Sequence, residues 1–237
     1  MLGTGGTIAC VPSENGLVPA LDGKTLVKMV PELAGLCHID YKQILNLDSS
    51  NISPKHWQII ANALAENYDN YDGFVITHGT DTMAYTASAL SFMFENLTKP
   101  VILTGSQLPM GQLRTDGKEN LITSLELASE YGADGHPMVP EVAIYFGGHL
   151  LRGNRSTKSS ADEFHAFQTF NYPHLCDAGV DFVFHQHHIL TPDYSKPMIT
   201  HYDMDTRVMV FSLFPGIRED MVRHIMSLQN IRGLVMR

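Results

Sequence analysis

The chain alternates regularly between strand-like and helix-like stretches, and this alternation constrains its fold more than any other feature. Short apolar runs with strand character cover residues 73–77, 100–104 and 142–146, and helical patterns cover residues 53–64, 82–94 and 119–130. Such alternation is typical of α/β proteins whose strands form a parallel sheet. The sequence therefore predicts an α/β fold, doubly wound, with a mainly parallel sheet.

Polar loops follow four of the predicted strands. They lie at residues 4–7, 48–50, 78–81 and 104–107, and all are rich in hydroxyl, amide or carboxylate groups. In open parallel sheets, ligands bind beyond the carboxyl ends of the strands. We therefore expect these four loops to line one site at the same edge of the sheet.

Charge and hydrophobicity exclude several classes of function. The 237 residues include 16 Lys and Arg against 25 Asp and Glu, which gives a net charge of −9, and 44% of them are hydrophobic. An acidic chain is a poor match for nucleic-acid phosphates, and no apolar run is long enough to span a bilayer. Three widely spaced cysteines argue against a disulfide framework. We expect a soluble, cytoplasmic protein without a nucleic-acid or membrane partner.

The first candidate for chemistry is Thr7, in the run Gly3-Thr4-Gly5-Gly6-Thr7-Ile8. A dinucleotide-binding G-x-G-x-x-G motif is excluded because Ile8 occupies the sixth position. The glycines permit a sharp turn that leaves the Thr7 hydroxyl exposed to a ligand. A plain strand-to-loop turn remains the alternative interpretation.

Three further residues supply groups that a threonine nucleophile needs. Thr80 and Asp81 follow a buried strand, and Lys158 lies among small polar residues. A nucleophilic hydroxyl requires a base, and the base requires a group that orients it. The alternatives are that Asp81 only caps the next helix and that Lys158 is a solvated surface residue.

The run His185-Gln186-His187-His188 contains three histidines but no recognisable metal motif. Adjacent residues on a strand point to opposite faces, so they do not converge on one ion. No H-E-x-x-H sequence is present. The sequence therefore predicts no metal site.

Taken together, these motifs resemble the bacterial-type L-asparaginases, most closely the cytoplasmic type I branch. Two segments resemble the two signature motifs of that family, and a lysine-containing segment follows them in the family's order: residues 4–8, residues 78–84 and residues 152–158. The resemblance extends over the whole chain. It implies the asparaginase N-terminal domain as the fold and the hydrolysis of L-asparagine to L-aspartate and ammonia as the reaction.

The resemblance also implies the catalytic residues. Thr7 matches the nucleophile that forms an acyl-threonine intermediate, and Thr80, Asp81 and Lys158 match the cluster that relays a proton and supports the nucleophile. Backbone N–H groups near Thr7 and Thr80 are expected to stabilise the oxyanion. No metal and no organic cofactor are implied.

The substrate-binding residues implied by the resemblance are Asp48, Ser49 and Ser50 together with Thr80 and Asp81. The 48–50 loop matches the segment that binds the α-carboxylate, and Asp81 matches the carboxylate that holds the α-amino group. Since glutamine places its amide one methylene further away, we expect glutamine to be turned over more slowly than asparagine.

Three positions match family residues that are found in only some members, in a mobile loop and in a regulatory asparagine site. Leu17 stands where many members have a tyrosine on a mobile loop. Thr157 and Arg237 match positions that bind a second, regulatory asparagine in allosteric type I members.

The organisation predicted for the chain is a catalytic domain at residues 1–180. Residues 181–237 are expected to hold the end of that domain, a linker and the start of a smaller C-terminal α/β domain. The abrupt ends of the sequence suggest that first residues and most of the second domain are absent, and the resemblance implies a homo-oligomer in the full-length form.

Two alternative functions remain open from the sequence. The first is the ammonia-generating subunit of a transfer-RNA amidotransferase, which shares both threonine motifs and normally carries an extra N-terminal domain. The second is a non-catalytic fragment that binds an amino acid without turnover.

Overall fold

The computed structural model describes residues 1–13 and 16–237, and it divides into two compact units, Met1–His201 and Tyr202–Arg237. The predicted domain roles on either side of residue 180 stay a prediction. In the described residues, no helix has the length and apolar character that a membrane crossing requires.

Sixteen strands and five α-helices are assigned in the described residues. The strands are β1 (Leu2–Gly5), β2 (Cys10–Ser13), β3 (Gly16–Pro19), β4 (Lys42–Leu47), β5 (Phe74–Thr77), β6 (Phe94–Glu95), β7 (Val101–Thr104), β8 (Val142–Phe146), β9 (His149–Arg152), β10 (Thr157–Lys158), β11 (Phe167–Gln168), β12 (Cys176–Ala178), β13 (Phe182–Phe184), β14 (Ile199–Thr200), β15 (Val208–Phe211) and β16 (Gly233–Met236). The helices are α1 (Gly23–Lys28), α2 (Pro54–Ala65), α3 (Met83–Met93), α4 (Gly117–Ser129) and α5 (Glu219–Met226).

The first unit is built on an eight-stranded mixed sheet in the order β13-β12-β9-β8-β7-β5-β1-β4. Five adjacent strands of this sheet, β4, β1, β5, β7 and β8, run parallel to one another. The sheet continues from β8 with β9, β12 and β13, which pair antiparallel. The predicted α/β fold with a mainly parallel sheet is confirmed. We call the β4-β1-β5-β7-β8 region the parallel part and the β9-β12-β13 region the antiparallel part.

Each face of this sheet is covered by helices and has its own apolar core. In β5, Phe74 and Ile76 belong to the core that includes residues of α2 and α3, and Val75 belongs to the core that includes residues of α1 and α4. This follows from the strand period of two, which directs successive side chains to opposite faces. Because both faces are buried, β5 reads as a continuous apolar run rather than an alternating one.

The helix predicted to begin at Ser53-Pro54 is present as α2. Pro54 is its first residue, and the Ser53 N–H donates to Nδ1 of His56 at 2.9 Å. Proline is suited to this position because its missing N–H has no partner in the first helical turn. The helix packs Ile60, Ala61 and Leu64 into the core.

The second unit consists of β15, α5 and β16, a strand–helix–strand arrangement in which the two strands pair in parallel. Val208 pairs with Gly233, and Phe211 pairs with Met236. The α5 helix carries Glu219 and Asp220 in its first turn and Arg223 and His224 in its last turn. This charge order is favourable to the helix dipole.

Candidate active site

The candidate site lies at a point where the strand order reverses. In chain order the parallel strands are β1, β4, β5, β7 and β8, and their order in the sheet is β4-β1-β5-β7-β8. The connection from β1 leads to β4 on one side of β1, and the connection from β4 leads to β5 on the other side. In α/β sheets, ligands bind at the carboxyl ends of the strands where the order reverses in this way, which is here at β1 and β5. Thr7 follows β1, and Thr80 and Asp81 follow β5.

Two glycines bring the loops after β1 and β5 into direct backbone contact. Gly6 has a φ of 80°, and a Cβ added to it would overlap Gly79. A Cβ added to Gly79 would lie 3.2 Å from the Gly6 Cα and 2.6 Å from the Ser49 Oγ. The loops after β1, β4 and β5 thus meet at Gly6, Ser49 and Gly79, which places Thr7, Ser50 and Thr80 next to one junction.

Thr7 begins a short 3-10 helix, Thr7–Ala9, directly after this junction. Its side chain is partly exposed, whereas the neighbouring Thr4 is buried and donates its hydroxyl to the Thr77 carbonyl at 2.9 Å. No hydrogen-bond partner of the Thr7 hydroxyl is found within residues 1–13 and 16–237. Thr4 therefore ties β1 to β5, whereas Thr7 is the partly exposed threonine of this run.

Lys158 joins Thr80 and Asp81 in one hydrogen-bonded cluster. Its Nζ donates to Thr80 Oγ1 at 2.8 Å and to Asp81 Oδ1 at 2.7 Å. The Lys158 side chain is only 17% exposed, whereas that of Asp81 is 64% exposed. The structure thus brings together three of the four predicted catalytic residues, although Lys158 is 77 positions away from Asp81.

Gln107 is a member of this cluster that the motifs did not single out as a site residue. Thr80 donates its hydroxyl to Gln107 Oε1 at 3.3 Å, and Gln107 Nε2 donates to the Ala161 and Glu163 carbonyls at 2.9 and 3.0 Å. Gln107 therefore links Thr80 to the segment that follows Lys158. The sequence feature that could have indicated Gln107 as a site residue is its position in the polar loop after β7.

The predicted substrate-binding loop is held in shape by its own aspartate. Asp48 Oδ1 accepts the Ser50 N–H at 2.8 Å and the Ser50 hydroxyl at 2.7 Å. These two hydrogen bonds lower the pKa of Asp48. Ser49 is buried, and its carbonyl accepts the Thr82 hydroxyl at 2.7 Å, which fixes the loop to the segment that carries Thr80.

His78 is fully buried behind Gly79 and has a defined protonation state. Burial lowers its pKa to about 4, so its imidazole is neutral at pH 7. Its Nδ1 lies 2.7 Å from the Gly79 carbonyl, which only accepts, so Nδ1 carries the proton. Its Nε2 then accepts the Thr86 hydroxyl at 2.9 Å, and Thr86 Oγ1 accepts the Trp57 indole N–H at 3.0 Å.

Three predicted residues are not part of this hydrogen-bonded cluster in the described residues. Thr157 is exposed on β10, where it pairs with Gln168 of β11. Arg237 belongs to the second unit, and its Nε donates to the Ser212 hydroxyl at 3.1 Å. Leu17 lies in β3, and its side chain is outside the described residues.

Comparisons with known proteins point to one family. Residues 1–190 match the family model described as Asparaginase, N-terminal. The chain is 42% identical to L-asparaginase 1 of Escherichia coli over 243 residues, which is 99% of this chain and 68% of that protein. It is similar to the crystal structure of L-asparaginase I from Vibrio cholerae, with a TM-score of 0.88 and 38% identity over 99% of this chain and 70% of that one. A more distant relative, a glutamyl-tRNA(Gln) amidotransferase subunit of Sulfolobus acidocaldarius, is 34% identical over 99% of this chain and 54% of its own length.

Proposed function

The chain belongs to the asparaginase family, and we propose that its hydrolysis of L-asparagine to L-aspartate and ammonia proceeds through an acyl-threonine intermediate on Thr7. The observation that carries this proposal is the Thr80–Lys158–Asp81 cluster, which shares a loop junction with Thr7. The Gly6–Gly79 contact supports this placement because Thr7 and Thr80 are the next residues after the two glycines.

In the first half of the reaction, the Thr7 oxygen forms a bond to the side-chain amide carbon of asparagine. The Thr7 proton passes to the cluster of Lys158 and Thr80 and then to the amide nitrogen, and the C–N bond breaks to release ammonia. In the second half, water attacks the carbonyl carbon of the resulting ester, and one of its protons passes through the cluster of Lys158 and Thr80 to the Thr7 oxygen. The C–O bond to Thr7 breaks, the Thr7 hydroxyl is restored, and aspartate leaves. General acid–base assistance of this kind contributes about 10²–10⁴-fold to a rate.

The oxyanion formed in both halves needs N–H donors, and His78 orients one of them. Within the described residues no peptide bond is cis, so the Gly79 carbonyl and the Thr80 N–H point in opposite directions. His78 holds the Gly79 carbonyl towards the buried imidazole. The Thr80 N–H is therefore directed away from the core. We assign it to the oxyanion, together with backbone N–H groups near Thr7.

The charged groups of the substrate match the polar side chains around the junction. Asp81, which is 64% exposed, is suited to the α-ammonium group. Ser49 and Ser50 are suited to the α-carboxylate, and Asp48 shapes their loop. Ser50 reaches the carboxylate only by turning its hydroxyl away from Asp48 Oδ1, to which it donates in this structure. Holding both charged ends places the amide carbon near Thr7, and glutamine, one methylene longer, is aligned less well.

The assembly and regulation of the protein are further parts of the proposal. Family membership supports a homo-oligomer and a cytoplasmic location. The proposal that Thr157 and Arg237 each contact a regulatory asparagine rests on the match of each residue to the allosteric type I members.

Exchange of Thr7 for alanine tests the proposal. We expect Thr7→Ala to lower kcat for ammonia release from asparagine by at least about 10³-fold, since the nucleophile is lost, while asparagine binding measured by calorimetry is retained. The exposed Thr191 serves as the matched control, and Thr191→Ala should keep the wild-type kcat. Unchanged kcat in Thr7→Ala would overturn the assignment.

A comparison of ammonia release from asparagine and from glutamine distinguishes the alternative functions. We expect kcat/KM for asparagine to exceed that for glutamine. Ammonia release from glutamine alone, and only with a transfer-RNA-binding subunit present, would identify an amidotransferase subunit instead. Binding of asparagine without any ammonia release by the wild-type chain would identify a non-catalytic module.

A further inference from the structure

A second cluster of polar side chains lies on the antiparallel part of the sheet, apart from the residues assigned to catalysis. Nδ1 of His149 and Nδ1 of His174 both lie next to one oxygen of Asp177, at 2.8 and 2.7 Å from its Oδ1. The three ligand-type atoms all lie within 4.8 Å of one another. The side chains are 39%, 34% and 41% exposed, so an ion from solvent has access to them.

We propose that His149, His174 and Asp177 bind a divalent zinc ion. Two imidazole nitrogens and one carboxylate oxygen form a donor set that zinc uses in proteins, with a fourth position left to water. Imidazole donors favour zinc and its neighbours among the transition metals over magnesium and calcium. We call these three residues and His185 the histidine cluster.

The sheet fixes the positions of two of the three ligands. His149 of β9 and Asp177 of β12 are register partners in an antiparallel pair, so their side chains lie on the same face. His174 precedes β12 by two residues and reaches the same oxygen. The His149 and His174 rings lie 4.2 Å apart, centroid to centroid. Ligands on strands are held more accurately than ligands on loops.

The distances require only a small adjustment to admit the ion. Tetrahedral zinc at about 2.0–2.2 Å from each ligand atom separates those atoms by about 3.4 Å. The two nitrogen-to-oxygen distances of 2.8 and 2.7 Å must therefore open by about 0.6–0.7 Å. Rotation of partly exposed side chains supplies this movement without a change in the sheet.

His185 provides the supporting contact that ligating carboxylates usually have. Its Nε2 lies 2.9 Å from Asp177 Oδ2, the oxygen that the other two histidines do not contact. This hydrogen bond orients the carboxylate and leaves Oδ1 to the ion. Outer contacts of this kind typically change metal affinity by about 10–100-fold when removed.

A zinc site at the histidine cluster runs against the sequence-based prediction that no metal site is present. His185 comes from the run 185–188, whose other described members form a short 3-10 helix, Gln186–His188. The reasoning that adjacent histidines do not converge holds for this run. His149 and His174 lie outside this run: His149 reaches Asp177 through strand pairing, and His174 lies three residues before Asp177.

Zinc titration of the full chain after treatment with a chelator tests the proposal. We expect one zinc ion per chain by calorimetry and elemental analysis, and a rise in Tm on zinc addition because the ion binds the folded state more tightly than the unfolded state. With Co²⁺ as the probe, visible absorption bands should show that protein atoms ligate the metal directly.

Variants of the histidine cluster separate this site from unspecific binding. Asp177→Asn and His174→Gln should each weaken zinc binding by more than about 100-fold, and His185→Gln by about 10–100-fold. The matched control is His187→Gln, which should bind zinc as the wild type does. Should Asp177→Asn fail to fold, His174→Gln and His149→Gln carry the same test. Absence of zinc binding to the wild type, or equal affinity in His174→Gln and His187→Gln, would overturn the proposal.

Discussion

The parallel and antiparallel parts of one sheet gather their polar groups in different ways. In the parallel part, loops at the ends of β1, β4 and β5 are held together by contact between the backbones of Gly6 and Gly79 and the side chain of Ser49. In the antiparallel part, side chains on the face of β9 and β12 converge on Asp177. The parallel strands thus place polar groups together in the loops at their ends, whereas the antiparallel strands place them together on one face, through side chains of paired residues.

If the two sites are independent, disruption of one leaves the other intact. Exchange of Lys158 tests this with the largest expected effect on kcat. Lys158→Met removes the donor to both Thr80 and Asp81. We expect kcat for asparagine to fall by about 10³-fold and zinc affinity to stay at the wild-type value. Steady-state ammonia release and zinc calorimetry on the same preparation measure both.

The control for this variant is Lys196→Met, because Lys196 pairs with Asp193 on the surface and is 71% exposed. It should change neither quantity. A parallel loss of zinc affinity in Lys158→Met would show that the two parts of the sheet are coupled.

His78 sharpens the comparison through pH, since it is fully buried in the parallel part whereas the histidine cluster is partly exposed. Its pKa is about 4 when folded and about 6.5 when unfolded, so the unfolded state binds more protons between these values. The stability that His78 contributes is complete above pH 6.5 and is lost as the pH falls towards 4. The expected loss is about 3 kcal/mol in the free energy of unfolding.

Urea unfolding at a series of pH values, compared between wild type and His78→Gln, measures this contribution. The variant should lack about 3 kcal/mol of the wild-type decrease between pH 6.5 and 4. His38→Gln is the matched control because the His38 side chain is 88% exposed. Identical pH profiles for wild type and His78→Gln would contradict the assignment of a buried neutral imidazole.

Gln107 gives the smallest expected effect and tests whether the catalytic cluster extends to β7. Gln107→Leu removes the acceptor of the Thr80 hydroxyl and two donors to the 161–163 segment. Loss of such hydrogen bonds costs about 1–1.5 kcal/mol, so kcat/KM should fall about 10-fold. Gln112→Leu, in the exposed turn of the same region, should keep the wild-type kcat/KM. An unchanged kcat/KM in Gln107→Leu would confine the cluster to Thr80, Asp81 and Lys158.

The sequence predicts the parallel part well because its polar residues stand directly after their strands. Thr7, Thr80 and Asp81 are placed by the rule that ligands bind beyond parallel strand ends, and the α/β fold follows from the alternation of elements. Lys158 is different: nothing in its spacing places it beside Thr80, and only the family resemblance associates the two. The catalytic roles of these residues stay predictions.

Neither the histidine cluster nor the orientation of His78 could be predicted from the sequence. His149 and Asp177 meet through an antiparallel register that short strands of three and four residues do not reveal. His78 precedes the predicted loop residues, but its protonation depends on complete burial and on Thr86 and Trp57, which belong to two different helices. Both features arise from contacts between distant segments.

The contact between Gly6 and Gly79 has a consequence for any attempt to evolve this protein in the laboratory. A methyl group at either position would push apart the loops that carry Thr7 and Thr80, and Gly6 additionally has a φ of 80° that other residues rarely adopt. Gly35 and Gly111 have open space around them instead. In a library selected for growth on asparagine, positions 6 and 79 would return glycine alone, and positions 35 and 111 would accumulate substitutions freely.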